Sequence, residues 1–260
     1  MGKGKFILML APVGEKGFVT PFEVVEEASR VRAKGLSILH FRSVFSGGQL
    51  NYNIEAYSQA MAWLRESSDL LIEFPAWGTL KHGLEERVSP LVLKPDFIEI
   101  IPGSLNMDDH IIYNPIGYIH FVLQISSEAM VKPVFKVFSP SMIIYLRRLI
   151  EQKELTPPYI FTLFLSEDYF PPTVENLVYM YKLLPKNSKW FLSMKGRPSK
   201  ALIAVALELG GNVRVGLEDS GENIGLSNER MVDEVLKIAS SLDMEPATPK
   251  EASEILGKVG

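Results

Sequence analysis

Short apolar runs rich in β-branched and aromatic residues alternate along the chain with longer amphipathic stretches. Eight such runs read as strands: Phe6 to Leu10, Leu36 to His40, Leu70 to Phe74, Phe97 to Ile101, Val134 to Phe138, Ile160 to Leu165, Trp190 to Met194 and Val213 to Leu217. Strands separated by amphipathic crossovers are the pattern of a parallel sheet with helices between its strands. Eight closes a barrel without an exposed edge, so the expected architecture is α/β, a (β/α)8 TIM barrel. A doubly wound open sheet fits the same alternation. It normally carries a glycine-rich phosphate turn after its first strand, and Ala11-Pro12-Val13-Gly14 is not one.

Local signals punctuate this pattern. Thr20-Pro21-Phe22-Glu23 and Thr248-Pro249-Lys250-Glu251 are capping boxes with proline at the first helical position. Gly35 and the pair Gly210-Gly211 are expected to end helices, because glycine enters the left-handed conformation without steric cost.

Composition narrows the picture. The 260 residues suit one barrel domain spanning 1–260, and 47 % hydrophobic residues supply a large core. A net charge of −4 gives no electrostatic reason to expect nucleic acid. No apolar run approaches the ~20 residues that span a bilayer, and Phe6 to Pro12 is too short for a signal segment, so a membrane partner is not expected. With no cysteine, disulfides and thiolate chemistry are excluded. The reading is a cytoplasmic protein acting on small molecules.

In a barrel, chemistry gathers where strands end in loops. Alternation puts Ile38, His40 and Arg42 on one face of the second strand and Arg214, Gly216 and Glu218 on one face of the eighth, with Asp219 on the other. First, second and eighth strands are neighbours, so His40 and Glu218 are expected to meet near the mouth. That pairing suits either a divalent metal or a structural histidine–carboxylate contact, since two ligands alone are a weak metal signature. His82, His110 and His120 lack comparable partners and read as surface or packing residues.

Lys136, set between Phe135 and Val137, must find a carboxylate or lose its proton. Glu99 and Glu73 are the expected partners. The sharper alternative is a Schiff base between Lys136 and a keto substrate.

Gly211-Asn212-Val213-Arg214-Val215-Gly216-Leu217-Glu218-Asp219, followed by Ser227-Asn228 and Ala247-Thr248-Pro249, resembles the β-keto acid cleavage enzymes. The resemblance continues through Ser89-Pro90-Leu91, Leu93-Lys94-Pro95, Gly103-Ser104-Leu105-Asn106, Trp190 and Gly196-Arg197. It implies a zinc-dependent barrel that exchanges acyl groups between a β-keto acid and an acyl-CoA thioester, and an assembly into homo-oligomers. Carried over by position, it implies His40 and Glu218 as zinc ligands and Arg214 and Asp219 around the reacting groups. Arg42, Ser104, Asn106 and Glu15 are expected to contact substrate.

This chain departs from that family at three places. The family's His-x-His-x-Arg has Ile38 at its first histidine, so one implied zinc ligand is missing. Lys136 stands where the family has a glutamate base. Phe74-Pro75-Ala76-Trp77-Gly78 replaces a turn of small hydrogen-bonding residues. These departures motivate two further readings: a non-catalytic or metal-free relative that keeps a ligand pocket, and a lyase that works through Lys136.

Overall fold

The computed structural model describes residues 4–14, 20–45, 49–107, 110–221 and 224–258. The expected Glu15 contact lies outside them.

Eight parallel strands close a barrel in chain order: Leu8–Leu10, Ile38–His40, Leu71–Pro75, Phe97–Ile100, Lys132–Val137, Tyr159–Leu165, Ser188–Met194 and Asn212–Val215. They are called the first to the eighth strand below. Each expected strand is present, displaced at its ends by a few residues. The expected first strand is divided, because Gly4–Phe6 pairs outside the barrel with Met244–Pro246. The eighth ends at Val215 instead of Leu217.

Helices occupy the crossovers, except that the third and fourth strands are joined through a 3-10 helix, Glu86–Leu93, with Pro90 inside it. Both capping boxes form. Thr20 accepts from the Glu23 amide ahead of helix Pro21–Arg32, and Thr248 accepts from the Glu251 amide ahead of helix Pro249–Ile255. Among the described residues, no helix is long and apolar enough to cross a membrane.

The barrel interior is built in two layers. At the lower, N-terminal end of the strands, Ile38, Leu71, Phe97, Val134, Ile160 and Phe191 pack with Ile7 and Met9, and Ala252 and Leu256 seal this end. One pleat repeat higher, the inward positions carry His40, Glu73, Glu99, Lys136, Thr162, Ser193 and Arg214, all buried. Period-two alternation puts both sets on the same inner face. Changing residue type between the layers is what positions the site.

Candidate active site

The upper layer is organised by Arg214, whose side chain is fully buried. Its Nη1 donates to Glu73 Oε1 at 3.0 Å and to Glu99 Oε2. Nη2 donates to Glu218 Oε1 at 3.2 Å and to Asp219 Oδ1 at 3.4 Å, while Nε donates to Asp219 Oδ2 at 2.6 Å. All five N–H groups are therefore committed to carboxylates. The resemblance implies Arg214 around the reacting groups. Its side chain bridges four carboxylates, Glu73, Glu99, Glu218 and Asp219.

Glu218 and Asp219 reach Arg214 because the chain leaves the strand abruptly. Gly216 has φ 146°, and a Cβ there would sit 2.0 Å from the Ala11 carbonyl oxygen. Only glycine lets the backbone pass that close to the end of the first strand. The turn Leu217–Ser220 then folds both acids back over the barrel. Asn228 fixes the turn by accepting from the Leu217 amide at 2.9 Å and donating to the Pro12 carbonyl at 3.1 Å. The expectation that Glu218 and Asp219 lie on opposite faces of a continuing strand is thus corrected. Strand alternation stops at Val215, and helical geometry directs both acids toward one arginine.

Lys136 also finds a partner other than those expected. Its Nζ lies 2.5 Å from Asp219 Oδ1 and 4.8 Å from the centroid of the Phe164 ring. Arg214 occupies Glu73 and Glu99 instead, being the longer, forked side chain that spans the barrel to reach them. Ser193 completes the Asp219 shell, donating to Oδ2 at 2.7 Å. Burial works to raise the Asp219 pKa, but Arg214 and Lys136 outweigh it and bring it down to about 2.

His40 stands between two carboxylates. Nδ1 is 2.8 Å from Glu73 Oε1, and Nε2 is 3.3 Å from Glu218 Oε1 without a hydrogen bond. Burial works against its protonation, yet Glu218, with help from Glu99, overcomes both that and the repulsion of Arg214 and raises the pKa to about 9. For Glu73, burial dominates and pushes the carboxyl up against the stabilising contact with His40. For Glu218, burial is outweighed by Arg42 and His40, which hold it well below the usual carboxylate range.

Arg42 lies just past the second strand, at the mouth, with 11 % of its side chain exposed. One Nη donates to the Val13 carbonyl at 2.6 Å. Its Nε is buried without a hydrogen bond, 3.4 Å from Glu218 Oε2, which also has none. Buried polar atoms of His40, Arg42 and Glu218 thus meet here within ion-pair distance but without hydrogen bonds. Trp77 borders it, donating from Nε1 to Glu99 Oε1 at 2.7 Å.

One ligand atom each from His40, Glu99 and Glu218 lies within 4.8 Å of the others, the only such grouping of metal-ligating side chains among the described residues. Ile38, in contrast, is part of the apolar layer beneath. Ser104 and Asn106 are exposed and take no part in this cluster. Ser104 accepts from the Asn114 amide at 2.9 Å, and Asn106 uses its backbone carbonyl to receive the Tyr169 hydroxyl. His120 pairs with Glu154 at 2.8 Å, away from the cluster.

Glu73, Glu99, Ser193 and Trp77 are members of the cluster that sequence reasoning did not single out as site residues. A signal for two of them was present. Glu73 and Glu99 sit at alternating positions inside otherwise apolar strands, where an unpaired carboxylate is costly.

Known proteins resemble this chain over most of its length. A profile described as beta-keto acid cleavage enzyme matches residues 19–257. A 3-keto-5-aminohexanoate cleavage enzyme of Fusobacterium nucleatum subsp. nucleatum is 30 % identical over 240 residues, covering 90 % of this chain and 88 % of that protein. A 3-oxoadipate:acetyl-CoA acetyltransferase of Cupriavidus necator is 21 % identical over 247 residues, covering 92 % and 87 %. Among solved structures, ObcA in binary complex with oxaloacetate superposes with a TM-score of 0.75 at 13 % identity, covering 93 % of this chain and 67 % of that one. At that identity the likeness is one of fold.

Proposed function

The chain belongs to the β-keto acid cleavage enzyme family, and from that premise we propose that it exchanges acyl groups between a β-keto acid and acetyl-CoA. The acyl group of the keto acid leaves its acid fragment and ends on coenzyme A, while the acetyl group takes its place on that fragment. The family match over residues 19–257 carries this reading. The names of the relatives in Fusobacterium and Cupriavidus, a keto acid cleavage enzyme and an acetyl-CoA acetyltransferase, support the two substrates.

The residues fit a divalent cation. His40 Nε2 is a buried nitrogen without a hydrogen bond, its other nitrogen is held by Glu73, and Glu218 Oε1 lies 3.3 Å away. A carboxylate on the far side of the imidazole is the usual support of a metal-bound histidine. His40 and Glu218 would hold the ion, zinc by resemblance, and when bound it supplies Lewis acidity toward the ketone oxygen.

The protein's own side chains do the remaining work. Arg42, at the mouth with part of its side chain exposed, receives the keto acid carboxylate. Arg214 holds Glu218 and Asp219 in place and leaves no donor for substrate. Lys136, balanced by Asp219, presents fixed positive charge to the negative charge that develops as the carbon–carbon bond breaks. Because the Lys136 nitrogen donates to a carboxylate, its surroundings support an electrostatic part over a free amine nucleophile.

Assembly into homo-oligomers is supported by the exposed apolar side chains Leu80 and Ile111, which flank the bridge between Thr79 and Ile112. The lack of cysteine supports a cytoplasmic setting.

The test is direct. Full-length protein supplied with zinc, acetyl-CoA and a panel of β-keto acids is expected to form a new acyl-CoA carrying the keto acid's acyl group, read by mass spectrometry. No new thioester with any β-keto acid would overturn the proposal.

A further inference from the structure

The metal reading leaves the place of a third protein ligand open, since Ile38 stands where the resembling family has a histidine. We propose that Glu99, from the fourth strand, is that ligand, which makes the centre one of a single imidazole nitrogen and two carboxylates. The inference rests on the metal reading above.

Elimination and support both lead there. Ile38 offers no ligand atom and packs with Met9, Leu71 and Phe97 in the layer beneath. Asp219 is saturated by Lys136, Ser193 and Arg214. Glu73 is engaged on the opposite nitrogen of the His40 ring. Glu99 remains: each of its oxygens accepts a single hydrogen bond, from Trp77 and from Arg214, where each Asp219 oxygen accepts two, and its ligand atom lies within 4.8 Å of those of both His40 and Glu218.

A grouping of acids alone would not make a site. Here His40, 0 % exposed, turns an unbonded Nε2 into it, and Glu218 adds an unbonded Oε2. Each ligand also has a holder of its own. Glu73 fixes the His40 ring, Arg42 and Arg214 flank Glu218, and Trp77 donates to Glu99 Oε1 at 2.7 Å. Metal ligands are characteristically oriented in this manner by hydrogen-bond partners behind them. Trp77 thereby acquires a positioning role.

The exchange of a histidine for a carboxylate has a chemical consequence. Imidazole suits zinc, whereas carboxylate oxygen suits harder ions such as manganese and magnesium. The centre should therefore discriminate less between Zn²⁺ and Mn²⁺ than one with two histidines.

Chelator-treated full-length protein is titrated with Mn²⁺, free ion being followed by its electron paramagnetic resonance signal, and with Zn²⁺ by calorimetry. Wild type is expected to take up one ion per chain. Glu99→Gln should bind about 10–100-fold more weakly, Trp77→Phe should weaken binding in the same direction, and Ile38→His should widen the preference for zinc over manganese. If His40→Ala and Glu218→Gln abolish uptake while Glu99→Gln and Trp77→Phe leave it unchanged, Glu99 is not a ligand and the metal reading survives. If wild type takes up neither ion, both fail. Should Glu99→Gln not fold, as judged by circular dichroism, Trp77→Phe still decides the matter.

Discussion

The two layers inside the barrel differ by a single pleat repeat along the same strands, yet they answer to opposite physics. Ile38 and His40 are two residues apart, as are Leu71 and Glu73, Phe97 and Glu99, and Val134 and Lys136. The lower member of each pair removes apolar surface from water and gains by it. The upper member brings charge into a site that water does not reach, where desolvation offsets much of the attraction between opposite charges. Stability alone would fill both layers with the same residue types. A fold that keeps four carboxylates, an arginine, a lysine and a histidine buried together gives up some stability for an arrangement of charges, and the strand ends of a barrel are where such an arrangement meets substrate.

The sharpest way to break the comparison is Arg214→Ala. Four carboxylates would lose their shared counter-ion, and removing one partner of a buried ion pair costs about 3–5 kcal/mol. Urea denaturation should show at least that loss, together with loss of acyl exchange. In the lower layer, Ile160→Ala should cost ~2–5 kcal/mol by leaving a cavity. Metal uptake should nevertheless stay unchanged in the folded protein, which separates what the two layers do.

Dependence on pH separates them further, since only the upper layer titrates. Asp219 has its pKa depressed to about 2, so its contribution is present above the ordinary 3.8 and is lost as pH falls toward 2. His40 has its pKa raised to about 9, so its contribution in metal-free protein is complete below the ordinary 6.5 and fades as pH rises through 9. Thermal unfolding of chelator-treated protein should therefore show stability lost as pH falls from about 4 toward 2 and lost again as pH rises through 9. A curve flat from pH 4 to 10 would contradict the assignment. The smallest effect belongs to Ser193→Ala, which removes one of several donors to Asp219 and should cost about 1 kcal/mol in the same denaturation assay.

Much of this is legible in the sequence. The eight strands and both capping boxes are local patterns, and the propensities that encode them act over a few residues. His40, Glu218, Arg214, Asp219 and Lys136 stood out as charged residues at strand ends, and they do converge. The pairing among them was not legible. Lys136 was matched to Glu99 or Glu73 by strand adjacency, whereas the closed barrel brings it to Asp219 from a turn after the eighth strand. That contact depends on where the eighth strand stops, which Gly216 decides by passing close to Ala11, a residue far away in sequence. Trp77 lies in a segment that departs from a turn of small hydrogen-bonding residues, and its hydrogen bond to Glu99 needs two neighbouring strands in register.

By itself, then, the order of residues determined which segments become strands and helices, which end of the barrel is apolar, and which side chains are charged at the other end. Those outcomes follow from periodicity and burial, and both are properties of short stretches of chain. The tertiary structure alone decided who partners whom. Inside a closed barrel, side chains from strands distant in sequence face one another across a few ångströms of low-dielectric space, and the most stable network is chosen by reach, geometry and charge balance over all eight strands at once.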